Sequence, residues 1–600
     1  MASSGVGMDV DVEDVWAPLV DARFNVDSIR ATDSNVALKS SLQSLDTELA
    51  TMQRALSTAN QRRNKLTGAC KIPAEILSEI FSLSQVGWAP FVRTKGQNSA
   101  IFNYGWIRIT HVCSYWREVA IQTPSLWTAN IDVYGVPIDF IPLVIQRSRD
   151  LPLEVTLGHN REDYEPAELE RVVTTWFTAD TAAVNGRIRT LSIQCLEEDL
   201  GTIATYLQAP MPKLVELVVD IENPDEPIVH RLPRTFCPEA QLIKLRLVDC
   251  LPHWDSPLFS ATLTHLTLTC FGHPDTTFFP THERLVGLLS SLGNLEYLDL
   301  YDVFPPPSST NTTIRLPASV KHVYLEARRA FANCLSFVST LSLPPSTCVE
   351  AKVLEIGSAI EHQEDPFALV ETLTPMLNPT ILALQNARAD QAKPVELVVE
   401  LYGIGFHAVQ QTRAGWTTAI PAHANTLPRE RADGSVFFSV LPDSEVDPAG
   451  EFCLCTRVLS LPLREIRAIS FARHAITQMK RANVLRDLVR AQAVRRLGIV
   501  LSDSAPLLDV LSERLPDGSF RVFPLLEILH VHVGYLSSDV TLRESDCVQD
   551  TLALAAFVAA RREYGAPLKE IVVEKALADW DVWEAVKYDV PVTPFDFPGK

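Results

Sequence analysis

No stretch of this chain approaches the roughly 18 consecutive apolar residues that a membrane-spanning helix needs. Positive charge is also scarce: 53 Lys and Arg stand against 73 Asp and Glu, a formal charge of −20. Phosphate backbones and anionic lipids attract the opposite balance, so neither nucleic acid nor a membrane is an expected partner. The short pair Arg561-Arg562 does not alter that. Met1 to Trp16 is acidic and has no basic start leading into an apolar run, so no secretory leader is expected. The 11 cysteines are odd in number and scattered. Reduced thiols in a cytoplasmic or nuclear compartment fit that pattern best, and the triplet Asn311-Thr312-Thr313 then reads as an accidental match to a glycosylation site.

Recognisable reaction chemistry is missing as well. Cys453-Leu454-Cys455 has no second pair at zinc-finger spacing, and His530-x-His532 has no evident third ligand. Gly403-Ile404-Gly405 lacks the third glycine of a dinucleotide loop, and there is neither a phosphate-binding Gly-x-x-x-x-Gly-Lys loop nor a Gly-x-Ser-x-Gly elbow. Clusters such as Glu197-Glu198-Asp199 read as solvated faces. The expectation is therefore no cofactor, no metal, no catalytic residue and no enzyme.

What remains is a long chain of ordinary globular composition, 600 residues with 46% hydrophobic and 21% charged. That exceeds what one compact core holds, so several domains or a repeat array is expected. Residues 1–26 read as a mobile acidic tail. Residues 27–67 read as an amphipathic helix in which Leu38, Leu42, Leu45, Leu49, Met52 and Leu56 alternate four and three apart. Packing against a neighbour in the same chain and self-association both satisfy that seam.

Gly68 breaks the helix, and residues 71–130 read as a small three-helix module. Pro73 precedes Ile76, Leu77, Ile80 and Phe81. An irregular loop from Val86 to Gly105 follows. A second helix then carries Ile109, Val112, Cys113, Trp116, Val119 and Ala120 on one face, and a third short element surrounds Leu126 and Trp127. So apolar a surface on so small a core implies completion by another protein.

From 131 to 600 the pattern apolar-x-x-apolar-x-apolar recurs. It appears at Ile188, Leu214, Leu242, Leu263, Leu295 and Val320, at intervals of 26, 28, 21, 32 and 25 residues, and again at Ile466, Val494, Leu526 and Leu568. A strand and a return segment that bury a face only when stacked make the unit of a leucine-rich solenoid. Chance recurrence in an ordinary α/β domain is the alternative. Residues 336–462 are less regular and read as degenerate repeats or an inserted loop, with a polar insertion at Glu361 to Asp365. The expected class is α/β.

The series Ile72-Pro73-Ala74-Glu75-Ile76-Leu77-x-x-Ile80-Phe81, Val112-Cys113-x-x-Trp116-Arg117 and Pro124-x-Leu126-Trp127 resembles the F-box, and in particular the F-box-like proteins of mushroom-forming fungi. The leading helix, Gln146-Arg147-Ser148-Arg149 with Leu151-Pro152-Leu153, and the leucine-rich remainder suit that family. Isoleucine stands where leucine usually precedes the proline, and the loop between the first two helices is longer than in a compact F-box. The resemblance implies a Skp-family adaptor bound by Ile72, Pro73, Ile76, Leu77, Ile80, Phe81, Ile109, Val112, Cys113, Trp116, Leu126 and Trp127. Through the adaptor it implies a cullin, with an unknown protein substrate held on the leucine-rich region. The rival readings are a leucine-rich scaffold unrelated to ubiquitin and an enzyme hidden in 336–462.

Overall fold

The computed structural model describes residues 13–24, 35–94, 100–129, 131–158, 166–178, 184–222, 228–271, 278–307, 313–344, 346–354, 366–386, 395–408, 436–441, 452–472, 474–533 and 542–595. The chain divides into two compact units, one running from Met1 to Leu153 and the other taking up the chain from Glu154 to Lys600. Residues 131–153 group with the helical module because its aromatic core reaches into them. The Trp127 ring lies 6.3 Å from Phe140, and the Arg147 guanidinium sits over Trp127 at 4.5 Å.

The first unit begins with a helix at Glu13–Arg23, inside the stretch expected to be a tail. Pro18 and the absence of a strong apolar stripe hid it; residues 1–12 and 25–26 lie outside the described residues. The long helix is Asn35–Asn64, and none of its residues is buried. The module follows as a helix at Ala74–Gln85, a tight turn of helix at Gly105–His111, a helix at Ser114–Gln122 and another tight turn at Pro124–Trp127. The single second helix expected through Ile109 and Ala120 is thus two elements. Cys113 is extended, with φ −159° and ψ 170°, and its sulfur caps the second of them by accepting from the Trp116 N–H at 3.4 Å. The break also ends the expected common face, since Ile109 is buried and Val112, three residues on, is 59% exposed. Part of the supposed loop is an antiparallel hairpin pairing Phe91–Thr94 with Ala100–Asn103.

The second unit is mixed α/β around one large, mostly parallel sheet. Strands Ile188–Leu196, Glu216–Glu222, Lys244–Val248, His265–Thr269, Tyr297–Tyr301, His322–Ala327 and Cys348–Leu354 pair in parallel in that order. Ile466–Phe471, Arg496–Val500, Ile528–His532, Glu570–Glu574 and Val592–Phe595 form a second parallel run. The recurring pattern sets the register. Leu191, Leu217, Leu245, Leu266, Leu298 and Val323 stand side by side across one run, as do Ile469, Leu497, Leu529 and Ile571 across the other. All 30 defining side chains of the ten motifs are 5% exposed or less. A shift by one residue would turn each row to the opposite face, so burial holds the alignment. Helices between the strands supply the other half of this core, among them His282–Ser291 through Leu285 and Leu289, and Ala505–Leu511 through Leu507, Leu508 and Leu511.

The irregular middle joins the two runs. Val436–Leu441 lies parallel to Cys348–Leu354, Gly403–Ala408 antiparallel to it, and Val395–Val399 antiparallel to that strand and parallel to Ile466–Phe471. It therefore continues the sheet with a reversal of strand direction. The polar insertion at 361–365 and the triplet at 311–313, apart from Thr313, lie outside the described residues.

Candidate interaction surface

Pro73 immediately precedes the Ala74–Gln85 helix and fixes its entry with φ −55°, while Glu75 in the first turn complements the helix dipole. Two apolar rows run along this one helix. Leu77 and Phe81, four apart, are buried at 0% and 1% exposure. Ile76, Ile80 and Leu83, at i, i+4 and i+7, stand out at 53%, 41% and 74%. Covering those three would contribute about 4 kcal/mol from apolar area alone. The apolar residues that follow along the chain, Val86, Trp88 and Phe91, are exposed too.

The twelve residues expected to meet an adaptor divide by burial. Leu77, Phe81, Ile109, Leu126 and Trp127 form the module's own core. Trp127 packs edge-on against Trp106 at 4.9 Å and donates its indole N–H to the Ala120 carbonyl at 2.8 Å. Ile72, Cys113 and Trp116 are half-buried. Trp116 leans on Phe81 at 5.3 Å, and the Tyr115 hydroxyl ties down the Ile72 carbonyl at 2.8 Å. Pro73, Ile76, Ile80 and Val112 are exposed. Leu83 was missed, although its spacing from Ile76 and Ile80 was legible.

The sheet carries a charged cluster on the face away from the buried leucines. Asp299, Tyr324 and Glu350 are cross-strand neighbours, and so are Tyr301, Glu326 and Lys352. The Lys352 ammonium pairs with the Glu350 carboxylate at 2.7 Å with both side chains buried, and it lies 5.3 Å from the Tyr324 ring. The Tyr324 hydroxyl donates to Glu326. Burial, aided by the Glu326 charge, pushes the Asp299 carboxyl up to about 7. Asp299 and Tyr324 are "x" positions of the repeated pattern, as in Leu298-Asp299-Leu300, and the other four share their face because strand side chains alternate with a period of two. Tyr301, Glu326, Glu350 and Lys352 are themselves buried, so this is a charged, largely desolvated cluster and not an open surface.

His530 and His532 are buried with ring centroids 4.0 Å apart, and burial holds His530 down to about 3. Neutral imidazoles could ligate a metal, but among the described residues no group of three or more His, Cys, Asp and Glu is placed to hold one. Cys453 and Cys455 are buried. No described helix is long and apolar enough to cross a membrane. No family model, curated protein or solved structure matches this chain.

Proposed function

We propose that this chain is a substrate-recruiting subunit of a Skp/cullin/F-box ubiquitin ligase. Its 71–130 module would dock a Skp-family adaptor, and through that adaptor a cullin. Its parallel strands would act as a leucine-rich solenoid that holds a protein substrate, and a cytoplasmic or nuclear location suits this role. The observation that carries the reading is the second apolar row on Ala74–Gln85, where Ile76, Ile80 and Leu83 face solvent while Leu77 and Phe81 fill the core. A monomer gains nothing from exposing three aliphatic side chains at helical spacing, whereas a docking helix needs them. No catalytic side chain is required of this chain, because holding a substrate beside activated ubiquitin raises the effective concentration of the reactants.

Co-expression with a Skp-family adaptor tests the reading. The adaptor is expected to co-purify with the wild-type chain and to be lost with Ile76→Glu/Ile80→Glu. Leu77→Ala is unsuited to this purpose, since a side chain at 0% exposure is part of the fold. Equal adaptor recovery with the folded double variant would overturn the assigned surface. Failure of the wild-type chain to bind any adaptor would leave a leucine-rich scaffold unrelated to ubiquitin.

A further inference from the structure

The Asn35–Asn64 helix is 30 residues long, about 45 Å at 1.5 Å per residue. Isolated helices in water are marginal and ordinarily draw their stability from packing an apolar face. Here none of the 30 residues is buried. Leu42, Leu49 and Leu56 stand 59%, 47% and 63% exposed. The seam is covered only in part: Leu38, Leu45 and Met52 are half-buried and Arg23 of the preceding helix pairs with Glu48 at the edge at 2.8 Å, while Trp16, Leu19 and Val20 of that helix remain exposed themselves.

Six positions alternate four and three apart without interruption, the spacing of a left-handed two-helix seam. Leu42, Leu49 and Leu56 occupy one heptad position and Leu38, Leu45 and Met52 the other. The seam is uniform, so each layer is matched by its own counterpart across a two-fold axis. The flanks decide direction. In an antiparallel pair centred on the seam, Asp46 would face Asp46 and Glu48 would face Glu48 of the second copy. In a parallel pair, Ser41 meets Asp46 and Glu48 meets Gln53, with no like charges opposed.

We propose that this chain dimerises with a second copy of itself through a parallel coiled coil along Leu38, Leu42, Leu45, Leu49, Met52 and Leu56. The inference does not rest on the adaptor reading. Light scattering on the full-length protein at tens of micromolar is expected to give twice the 66.6 kDa chain mass, falling to one chain mass in Leu42→Glu/Leu49→Glu. The main thermal transition should not move in that variant, because neither leucine is buried within its own chain. Mild oxidation of Met52→Cys is expected to yield a covalent dimer, since that position meets itself only in the parallel register. A monomeric wild type, a double variant that keeps the doubled mass, or a dimeric Met52→Cys that fails to cross-link would each overturn the proposal.

Discussion

Glu396 illustrates how a single buried charge ties stability to pH. It lies on a central strand at 4% exposure and accepts a hydrogen bond from the Ser470 hydroxyl at 2.8 Å. Ser470 is in turn level with Gly498 on the next strand, where a Cβ would come within 2.5 Å of that hydroxyl. Only glycine leaves the network room. Burial pushes the Glu396 carboxyl up to about 7 from its ordinary 4.5. A carboxyl raised in the folded state favours folding at low pH and loses that advantage as pH rises through 7. The Glu396→Gln variant, insensitive to this proton, should therefore gain about 3 kcal/mol on wild type between pH 4.5 and pH 8. Urea unfolding at both pH values reads the difference, and a constant gap would refute it. The comparison must be with the variant because His530, held down to about 3, acts in the opposite sense: its contribution is complete above 6.5 and is lost as pH falls. The cysteines give a simpler expectation. Nine of the 11 are buried, and only Cys70 and Cys113, with sulfurs 3.6 Å apart, are partly accessible. A polar thiol reagent should modify two thiols rapidly in the native protein and all 11 after denaturation; fast modification of more than two would contradict the packing.

At the scale of elements, strand ends are held by a device that recurs in the first run. Asp249 and Asp302 each follow a strand in a left-handed conformation, with φ of 51° and 52°. The Asp302 carboxylate accepts the backbone N–H groups of Arg328, Arg329 and Ala330 at 2.9, 3.1 and 3.1 Å, and Asp249 accepts that of Phe271. Each thereby ties one unit to the loop of the next. Asp302→Ala would leave three partly buried donors without this acceptor and should cost about 3 kcal/mol, with Asp302→Asn costing less. Calorimetry or denaturant titration checks this, and an unchanged midpoint for the alanine variant would show that the loop finds other partners. The strands themselves were legible in the sequence because their burial has a period of two and ten examples reinforced one another. The break at Cys113 was not, because a cap formed by a cysteine sulfur carries no familiar signal. Asp302 was equally silent, since an aspartate after a strand is ordinary until its partners 26 to 28 residues later are known.

For the whole molecule, the proposed division of labour rests on where apolar side chains are and are not covered. In the sheet unit, leucine after leucine is sealed beneath helices, and polar residues are left on the other face. In the helical unit, two rows of aliphatic side chains, one on Asn35–Asn64 and one on Ala74–Gln85, face solvent. Sequence reading located both helices and named the twelve docking candidates. It could not divide those candidates between core and surface, because Ile76 and Leu77 are equally apolar and only the packing of Phe81 against Trp116 decides which row turns inward. Arg561 teaches the same lesson in reverse. In the sequence it stands only as half of a short basic pair, yet it is fully buried, donating to the carbonyls of Phe523, Pro524, Leu526 and Ala566.

The central claim is that the row formed by Ile76, Ile80 and Leu83 is a docking surface for a Skp-family adaptor. Titrating a purified Skp-family adaptor into the full-length chain by calorimetry tests it most directly. Saturable binding is expected for wild type, weakened by about a hundredfold or more in Ile76→Glu/Ile80→Glu at unchanged thermal stability. Equal affinity of the folded double variant, or no heat from the wild-type chain, would contradict the account.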